Sequence, residues 1–283
     1  IDLVMHLGDY IYEYANDRYS NPVAIEELGR SIQPAHEILS LEGYRQRYAL
    51  YRTDPDLQAA HAAHPWICVW DDHELANNTW REGAENHNEG EGDFHLRMAI
   101  ARRVYHEWMP IRTPAQTEQG PIYRSFKVGS LADIIMLDTR LTGRDEQLDY
   151  RRDLIGAELT PAQFRERHLD DPTRTMLGAD QYSWLSNQLA ASKSRGATWQ
   201  FVGQQVLMGK LIMPAISPEE LAQVELPERS REYVGSIARL SAYQLPMNLD
   251  AWDGYPACRA RVFERLLEDA SNPVVVAGDT HNG

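Results

Sequence analysis

Three short apolar runs of the sequence each end in a cluster of residues that can bind metal ions or transfer protons. The run LVMHL is followed by GDYIYEY, the run WICVW by DDHELANN, and the run VVVA by GDTHNG. The carboxylate, amide, phenol and imidazole groups of these clusters belong to Asp9, Tyr12, Asp71, Asp72, His73, Glu74, Asn77, Asn78, Asp279 and His281. Donors of these types suit hard metal ions and proton transfer.

Taken singly, each cluster has an ordinary structural interpretation. A Gly-Asp pair after a strand is a common turn, Asp71-Asp72 can cap a helix, and His281 alone would be a loop histidine. Three clusters together favour one shared site, because the carboxyl ends of parallel strands meet at one edge of an α/β sheet. So many carboxylates need cations in order to stay ionised in a partly buried cleft. The spacing alone therefore predicts a metal-assisted hydrolase.

The elements that must position these clusters are short strands that alternate with helices. Strands are predicted over residues 1–7, 66–70, 122–128, 132–137, 198–202 and 274–277, where apolar residues are continuous or alternate. Helices are predicted over 41–51, 94–109, 180–192 and 257–270, and a further helix begins at Pro55. This alternation predicts an α/β layered fold with a buried sheet.

Two long stretches interrupt the alternation of strands and helices. Residues 140–178 are rich in Asp and Arg, and residues 209–252 contain four prolines. Compact domains rarely hold irregular segments of this length without a functional reason. Both stretches are predicted to be insertions or lids.

Length and charge limit the possible partners. The 283 residues allow one large domain or two small ones, and the net charge of −14 argues against docking to nucleic acid or to an anionic membrane surface. No apolar run approaches the roughly 18 residues that a membrane-spanning helix needs. The two cysteines, Cys68 and Cys258, cannot make a disulfide framework. The chain begins with Ile and shows no signal peptide, so we expect a piece of a longer protein.

Six segments resemble the alkaline phosphatase D (PhoD) family of calcineurin-like metallophosphoesterases. In the family's order they are HLGDYIYEY, AAHPWICVWDDHELANNTW, MLDTR, FVGQQVLMGKL, DAWDGYPACRARV and VVVAGDTHNG. The resemblance implies a four-layer αββα sandwich over residues 1–283 that is partial at both ends. The family's upstream β-sandwich domain, the strand with its first metal ligand and its C-terminal remainder would lie outside this chain.

The resemblance also implies an activity, cofactors and a location. It implies hydrolysis of phosphomonoesters or phosphodiesters by metal-activated water, with Fe(III) and Ca(II) as the metals, although Mn or Mg would suit the same donors. The family's members are typically exported by the twin-arginine route, which implies a periplasmic or secreted protein that serves phosphate acquisition. The implied partner is a small phosphate ester.

The resemblance assigns roles to single residues. Asp9 resembles the carboxylate that bridges the two metals, and Tyr12 resembles the phenolate ligand of Fe(III). Asp72 takes the place of the metal-binding Asn in the broader GNHE motif. His73 takes the place of the histidine that donates to the substrate phosphate or to the leaving group.

The remaining metal ligands that the resemblance implies come from the second and third clusters. Asn78 resembles a further ligand on the calcium side, with Asn77 as the second choice. Asp279 and His281 of GDTH resemble the last pair of ligands.

Several assignments stay open at this point. Arg140 either faces a substrate phosphate or makes a structural contact with Asp138, and Asn86 is interpreted as a solvated loop residue. One functional alternative is a preference for phosphodiesters over phosphomonoesters. The two predicted insertions would determine this preference. The other is a non-catalytic module that binds metal or phosphate, which the presence of all three clusters disfavours. A glycosidase with two carboxylates is a poor match, because it leaves Tyr12, Asn78 and His281 unexplained.

Overall fold

Helices and strands alternate along the chain in a computed structural model that describes residues 2–109, 111–113, 120–225, 227, 234, 235, 238 and 240–281. The helices are α1 (Asn16–Tyr19), α2 (Pro22–Leu28), α3 (Leu41–Tyr51), α4 (Pro55–Ala63), α5 (Phe94–Trp108), α6 (Pro161–Phe164), α7 (Gly178–Ser194), α8 (Pro218–Ala222) and α9 (Pro256–Asp269). The strands are β1 (Val4–His6), β2 (Trp66–Cys68), β3 (Thr79–Trp80), β4 (Gly83–Ala84), β5 (Arg124–Val128), β6 (Ala132–Met136), β7 (Trp199–Gly203) and β8 (Pro273–Val276). Short π-helical segments lie at Arg151–Ile155 and Arg165–Leu169, and one 3-10 turn lies at Trp252–Gly254.

Parallel pairing joins β1 and β2, which precede the first two polar clusters, whereas β8, which precedes the third, lies in a separate four-stranded sheet. β1 pairs with β2 in parallel, with Val4 opposite Trp66 and His6 opposite Cys68. In the sheet ordered β5-β6-β7-β8, β6, β7 and β8 are parallel and β5 is antiparallel to β6. The predicted α/β class is therefore confirmed. The four-layer arrangement of the sandwich stays a prediction.

The predicted elements are present, and their ends differ from the prediction by a few residues. The strand expected at 66–70 ends at Cys68, although the Val69 N–H still donates to the His6 carbonyl oxygen at 3.0 Å. The strand expected at 1–7 covers only Val4–His6, and residue 1 of that prediction lies outside the described residues. Asp54 caps α4, because its carboxylate accepts hydrogen bonds from two backbone N–H groups.

Two compact units divide the chain. The first comprises Ile1–Glu146, Met176–Val206 and Val262–Gly283, and the second comprises Gln147–Thr175 and Leu207–Arg261. All eight strands named above lie in the first unit. The interpretation of residues 140–178 and 209–252 as insertions stays a prediction, and 226, 228–233, 236, 237 and 239 lie outside the described residues. Within the part of the chain that the structure describes, no helix is long and apolar enough to cross a membrane.

Helix α3 fixes the segment that follows β1. Ser40 caps the helix through the Gly43 N–H at 3.1 Å, and Tyr44 and Tyr48 are fully buried in the core of the first unit. Arg47 of the same helix is also fully buried. Its guanidinium donates to the backbone carbonyl oxygens of Tyr12, Tyr14, Gln33, Pro34 and His36. The segment that carries Tyr12 is therefore anchored to a helix of the core.

Candidate metal centre

A sharp turn at the end of β1 places the Asp9 carboxylate. Gly8 has a φ of 115° and Asp9 a φ of 60°. A Cβ atom on Gly8 would lie 2.3 Å from the Asp71 Cβ, so only glycine allows the ends of β1 and β2 to approach this closely. The Oδ1 atom of Asp9 is buried and has no hydrogen-bond partner among the described residues. A buried carboxylate oxygen needs a partner, and a bound metal ion is one that would satisfy it.

Glu74 links the ends of β1 and β2. Its fully buried carboxylate accepts the backbone N–H of Asp9 at 3.1 Å, of Tyr10, and of Asp71 at 2.7 Å. Burial raises the pKa of Glu74 to about 7, although the three backbone donors oppose the shift. Glu74 is thus a structural carboxylate that sets the spacing of the two acidic turns.

Five side chains from all three sequence clusters meet beside the ends of β1 and β2. Asp9, Asp72 and His73 offer ligand atoms that lie within 4.8 Å of one another. The Tyr12 hydroxyl lies 3.3 Å from Asp9 Oδ2 and 2.8 Å from the Nε2 atom of His281. The predicted convergence of the three clusters is therefore present, and this set of donors can hold a metal ion.

A second group of carboxylates surrounds Arg140. Asp71, Asp72 and Asp279 also offer ligand atoms within 4.8 Å of one another. The Arg140 Nε lies 2.5 Å from Asp71 Oδ1, and its Nη2 lies 3.1 Å from Asp279 Oδ1 and 3.7 Å from Asp72 Oδ2. The Arg140 backbone N–H donates to Asp138 Oδ1 at 2.9 Å, so the contact with Asp138 is present through the main chain. The contact of Arg140 with a substrate phosphate stays a prediction.

The His73 imidazole is held by a carboxylate that sequence reasoning missed. Its Nδ1 lies 2.7 Å from Glu13 Oε2, and Glu13 is fully buried. The other Glu13 oxygen accepts the Asn77 N–H at 2.7 Å and the Asn86 amide at 2.8 Å. Burial disfavours the imidazolium, but the Asp72 and Glu13 carboxylates outweigh it and raise the pKa of His73 to about 10. The pair keeps a protonated imidazole in one orientation.

The position of Asn86 differs from the expected solvated loop residue. Its side chain is buried, and its amide donates to Glu13 at 2.8 Å and to Glu37 at 3.0 Å. Its Oδ1 accepts a hydrogen bond from Arg18 at 3.0 Å. The expectation was wrong because a polar loop composition does not reveal a buried acceptor elsewhere in the chain. The available signal for Glu13 was its position four residues after Asp9 in GDYIYE.

Asn78 is connected to Asp72 through its backbone. Its φ is 51°, and its N–H donates to Asp72 Oδ2 at 2.6 Å. The side-chain amides of Asn78 and Asn77 both donate to the Glu85 carboxylate. The structure thus places Asn78 beside a proposed ligand, while its own role as a ligand stays a prediction.

Gln205 joins the third cluster to the rest of the site. The backbone of Asp279 and His281 is left-handed, with φ values of 63° and 53°. Before them, the Gly278 N–H donates to the Gln205 carbonyl oxygen at 2.7 Å. The buried Gln205 side chain donates to the Trp70 carbonyl oxygen at 2.8 Å. Sequence reasoning missed this role, although the polar pair Gln-Gln directly after an apolar strand was a signal for it.

The carboxylates of the site titrate differently. Burial and the neighbouring carboxylates raise the pKa of Asp9 to about 7, and burial raises that of Asp71 well above its ordinary range. Burial would also raise the pKa of Asp72, but Arg140 and His73 lower it below the ordinary value. A bound cation would favour the ionised form of Asp9.

Comparison with known proteins identifies the family. A family model of PhoD-like phosphatases matches residues 1–283. The chain is 35% identical over 285 residues to alkaline phosphatase D of Bacillus subtilis (strain 168), an alignment that covers 99% of this chain and 41% of the relative. A solved structure of PhoD matches with a TM-score of 0.74 and 33% identity, over 99% of this chain and 46% of that one.

The chain belongs to the PhoD-like phosphatase family, which confirms the resemblance found in its motifs. It spans less than half the length of the two proteins it matches.

Proposed function

We propose that the protein is a metal-dependent phosphoric ester hydrolase of the alkaline phosphatase D type. The observation that carries this proposal is the convergence of the Asp9 and Asp72 carboxylates, which offer ligand atoms within 4.8 Å of each other beside the His73 imidazole, with a buried Asp9 oxygen that has no hydrogen-bond partner among the described residues. Membership of the PhoD-like phosphatase family supports the same reaction.

The proposed metal ligands provide mainly hard oxygen donors. They are Asp9, Tyr12, Asp72, Asn78, Asp279 and His281. We propose Fe³⁺ and Ca²⁺ as the ions, as the resemblance to the PhoD family implies, and the hard oxygen donors of this set suit such ions. When bound, the ions would polarise the phosphate oxygens and favour deprotonation of an attacking water.

His73 would protonate the departing oxygen of the ester. Its Nδ1 is bound to Glu13 at 2.7 Å, so Nε2 is the nitrogen that can act on the substrate. The Asp72 and Glu13 carboxylates favour the protonated ring, and a general acid needs its proton when the leaving group departs. Because Glu13 is buried, its carboxylate holds the His73 ring in one orientation.

We propose small phosphate esters as substrates, and a periplasmic or secreted location in which the reaction supplies phosphate to the cell. The stretches 140–178 and 209–252 are proposed as the insertions that decide between monoesters and diesters. A short ester entering the site would meet the cation-binding carboxylates, so the metals must reverse the local charge before an anionic substrate can bind.

Elemental analysis combined with hydrolysis of p-nitrophenyl phosphate and bis(p-nitrophenyl) phosphate tests this proposal. We expect bound metal, turnover of at least one ester, and loss of turnover after treatment with a chelator. The surface variant Glu107→Gln, which alters an exposed ion pair with Arg45, is the matched control and should keep both metal and activity. Tight phosphate binding by metal-loaded protein without turnover of either ester would contradict the proposal.

A further inference from the structure

The Arg140 side chain is fully buried inside the group of carboxylates from which the proposed metal ligands are drawn. Its Nε lies 2.5 Å from Asp71 Oδ1, and its Nη2 lies 3.1 Å from Asp279 Oδ1 and 3.7 Å from Asp72 Oδ2. Asp72 and Asp279 are proposed metal ligands, whereas Asp71 is not. One guanidinium therefore contacts two ligands and a third carboxylate that has no assigned role.

The geometry of these contacts suits positioning. The guanidinium is a rigid planar fork, so carboxylates that bind its separate nitrogens are held at fixed angles to one another. Nε contacts Asp71 and Nη2 contacts Asp279, which come from chain segments that lie beyond β2 and β8. Arg140 thus connects two of the three clusters directly.

The charge of Arg140 matters as much as its shape. Asp71 and Asp72 are 1% and 2% exposed, and the Arg140 guanidinium is a positive group that lies within 4.0 Å of both. A bound metal ion would supply such a charge, and Arg140 supplies one that is part of the chain.

We infer that Arg140 is a positioning residue of the metal centre, which orients the Asp72 and Asp279 ligands and offsets their charge before metal binds. This inference rests on the proposed function, because it assumes that Asp72 and Asp279 bind metal. Arg140 would contribute both a positive charge and a planar shape, and different substitutions remove each of them. Arg140→Gln removes the charge, whereas Arg140→Lys keeps the charge and removes the fork.

The first test measures thermal stability with and without Mn²⁺. Metal-stripped Arg140→Gln should unfold roughly 10 °C below the unsubstituted protein, because loss of one partner leaves buried carboxylates unpaired. Saturating Mn²⁺ should restore most of this loss, because the ion replaces the missing positive charge.

The control for this test is Arg124→Gln. Arg124 is also buried, but its guanidinium donates to the carbonyl oxygens of Ile122 and Cys68. Its loss should lower the melting temperature equally with and without Mn²⁺. An equal loss in both conditions for Arg140→Gln would show a merely structural role and would overturn the inference.

The second test measures Mn²⁺ affinity by titration calorimetry of Arg140→Lys. We expect affinity to fall roughly 10–100-fold, as is usual when a group that orients metal ligands is lost. Unchanged affinity would overturn the positioning role. If Arg140→Gln fails to fold, the Mn²⁺ affinity of Arg140→Lys alone tests the inference. If neither Mn²⁺ nor Ca²⁺ binds to or stabilises the unsubstituted protein, the metal-dependent function itself fails, and that result is distinct from a failure at Arg140.

Discussion

The Glu13 carboxylate lies 2.7 Å from the Nδ1 atom of His73, and Glu13 has no exposed surface. The two residues come from the segments that follow β1 and β2, so this contact joins two of the three sequence clusters. The same carboxylate accepts the Asn77 N–H at 2.7 Å, which fixes the loop after His73 as well. Orientation of the proposed acid therefore depends on a residue that need not touch the substrate.

His73→Ala should slow turnover without removing the metals. The proposed role in protonating the leaving oxygen corresponds to a loss of roughly 10²–10⁴-fold in kcat. Glu13→Gln should cause a smaller loss, because the ring keeps a hydrogen-bond partner but loses the charge that favours its protonation. Steady-state kinetics with elemental analysis of both variants checks this. Metal-free His73→Ala protein would show that His73 is a ligand or a scaffold residue.

Asp9→Asn and Asp279→Asn should each abolish metal binding. Both substitutions keep the side-chain volume and remove a negative charge from the group of ligands, so the effect on packing is small. Elemental analysis after dialysis should find little metal in either variant, and activity should fall with the metal content. Full metal occupancy in Asp9→Asn would contradict the bridging role proposed for this carboxylate.

Tyr12→Phe tests the identity of the metal. Its hydroxyl lies 2.8 Å from the Nε2 atom of His281 and 3.3 Å from Asp9 Oδ2, within the proposed ligand set. If Fe³⁺ is bound there, the protein should show a visible charge-transfer band that disappears in Tyr12→Phe. A colourless, active protein that contains only zinc would exclude the iron assignment.

Gly8→Ala should disrupt the site through a steric clash. The new Cβ would lie 2.3 Å from the Asp71 Cβ, at a φ of 115° that side chains rarely adopt. We expect a loss of about 3 kcal/mol in the free energy of unfolding, together with weaker metal binding. Gly90→Ala is the matched control, because its φ is 92° and nothing lies within 4 Å of the added atom. Chemical denaturation should show a loss of about 1 kcal/mol for the control, and equal losses would rule out the clash.

His6 should make the protein less stable in mild acid. Burial and the neighbouring His61 lower the pKa of His6 to about 4, below the value of about 6.5 in an unfolded chain. The unfolded state therefore binds more protons than the folded state between these values. The contribution of His6 to the free energy of unfolding is fully present above pH 6.5 and falls by at most about 3 kcal/mol as the pH decreases to 4.

Replacing His6 with Phe should reduce this dependence on pH. The ring contacts with Tyr10 and Trp66 can be kept by another aromatic side chain. Denaturation curves between pH 4 and 7 measure the effect, with the exposed His95→Phe as a control that should leave the slope unchanged. An unaltered slope in His6→Phe would mean that other groups cause the acid sensitivity.

Much of the site could be predicted because its residues follow strands. Asp9 and Asp72 lie a few residues after β1 and β2, which pair in parallel, and Asp279 lies a few residues after β8, a strand of the other sheet. Apolar runs of a few residues reveal such strands in a single sequence. The α/β class follows from the same pattern.

The buried polar contacts could not be predicted in this way. Glu13 and His73 are separated by 60 positions, and Arg140 and Asp279 by 139. The pairing of buried donors with acceptors depends on how distant segments pack, and local sequence patterns do not reveal this packing. Asn86 shows the consequence, since a polar loop residue is here a buried partner of Glu13.

The anchorage of Arg47 has a consequence for how this family can vary in length. Its guanidinium donates to the carbonyl oxygens of Tyr14 and Pro34, so a single side chain holds together the two ends of the segment between them. Lengthening a loop whose ends are already held together costs little conformational entropy. We expect related chains to gain or lose residues between positions 17 and 32, while Tyr12 keeps its place beside the proposed metals.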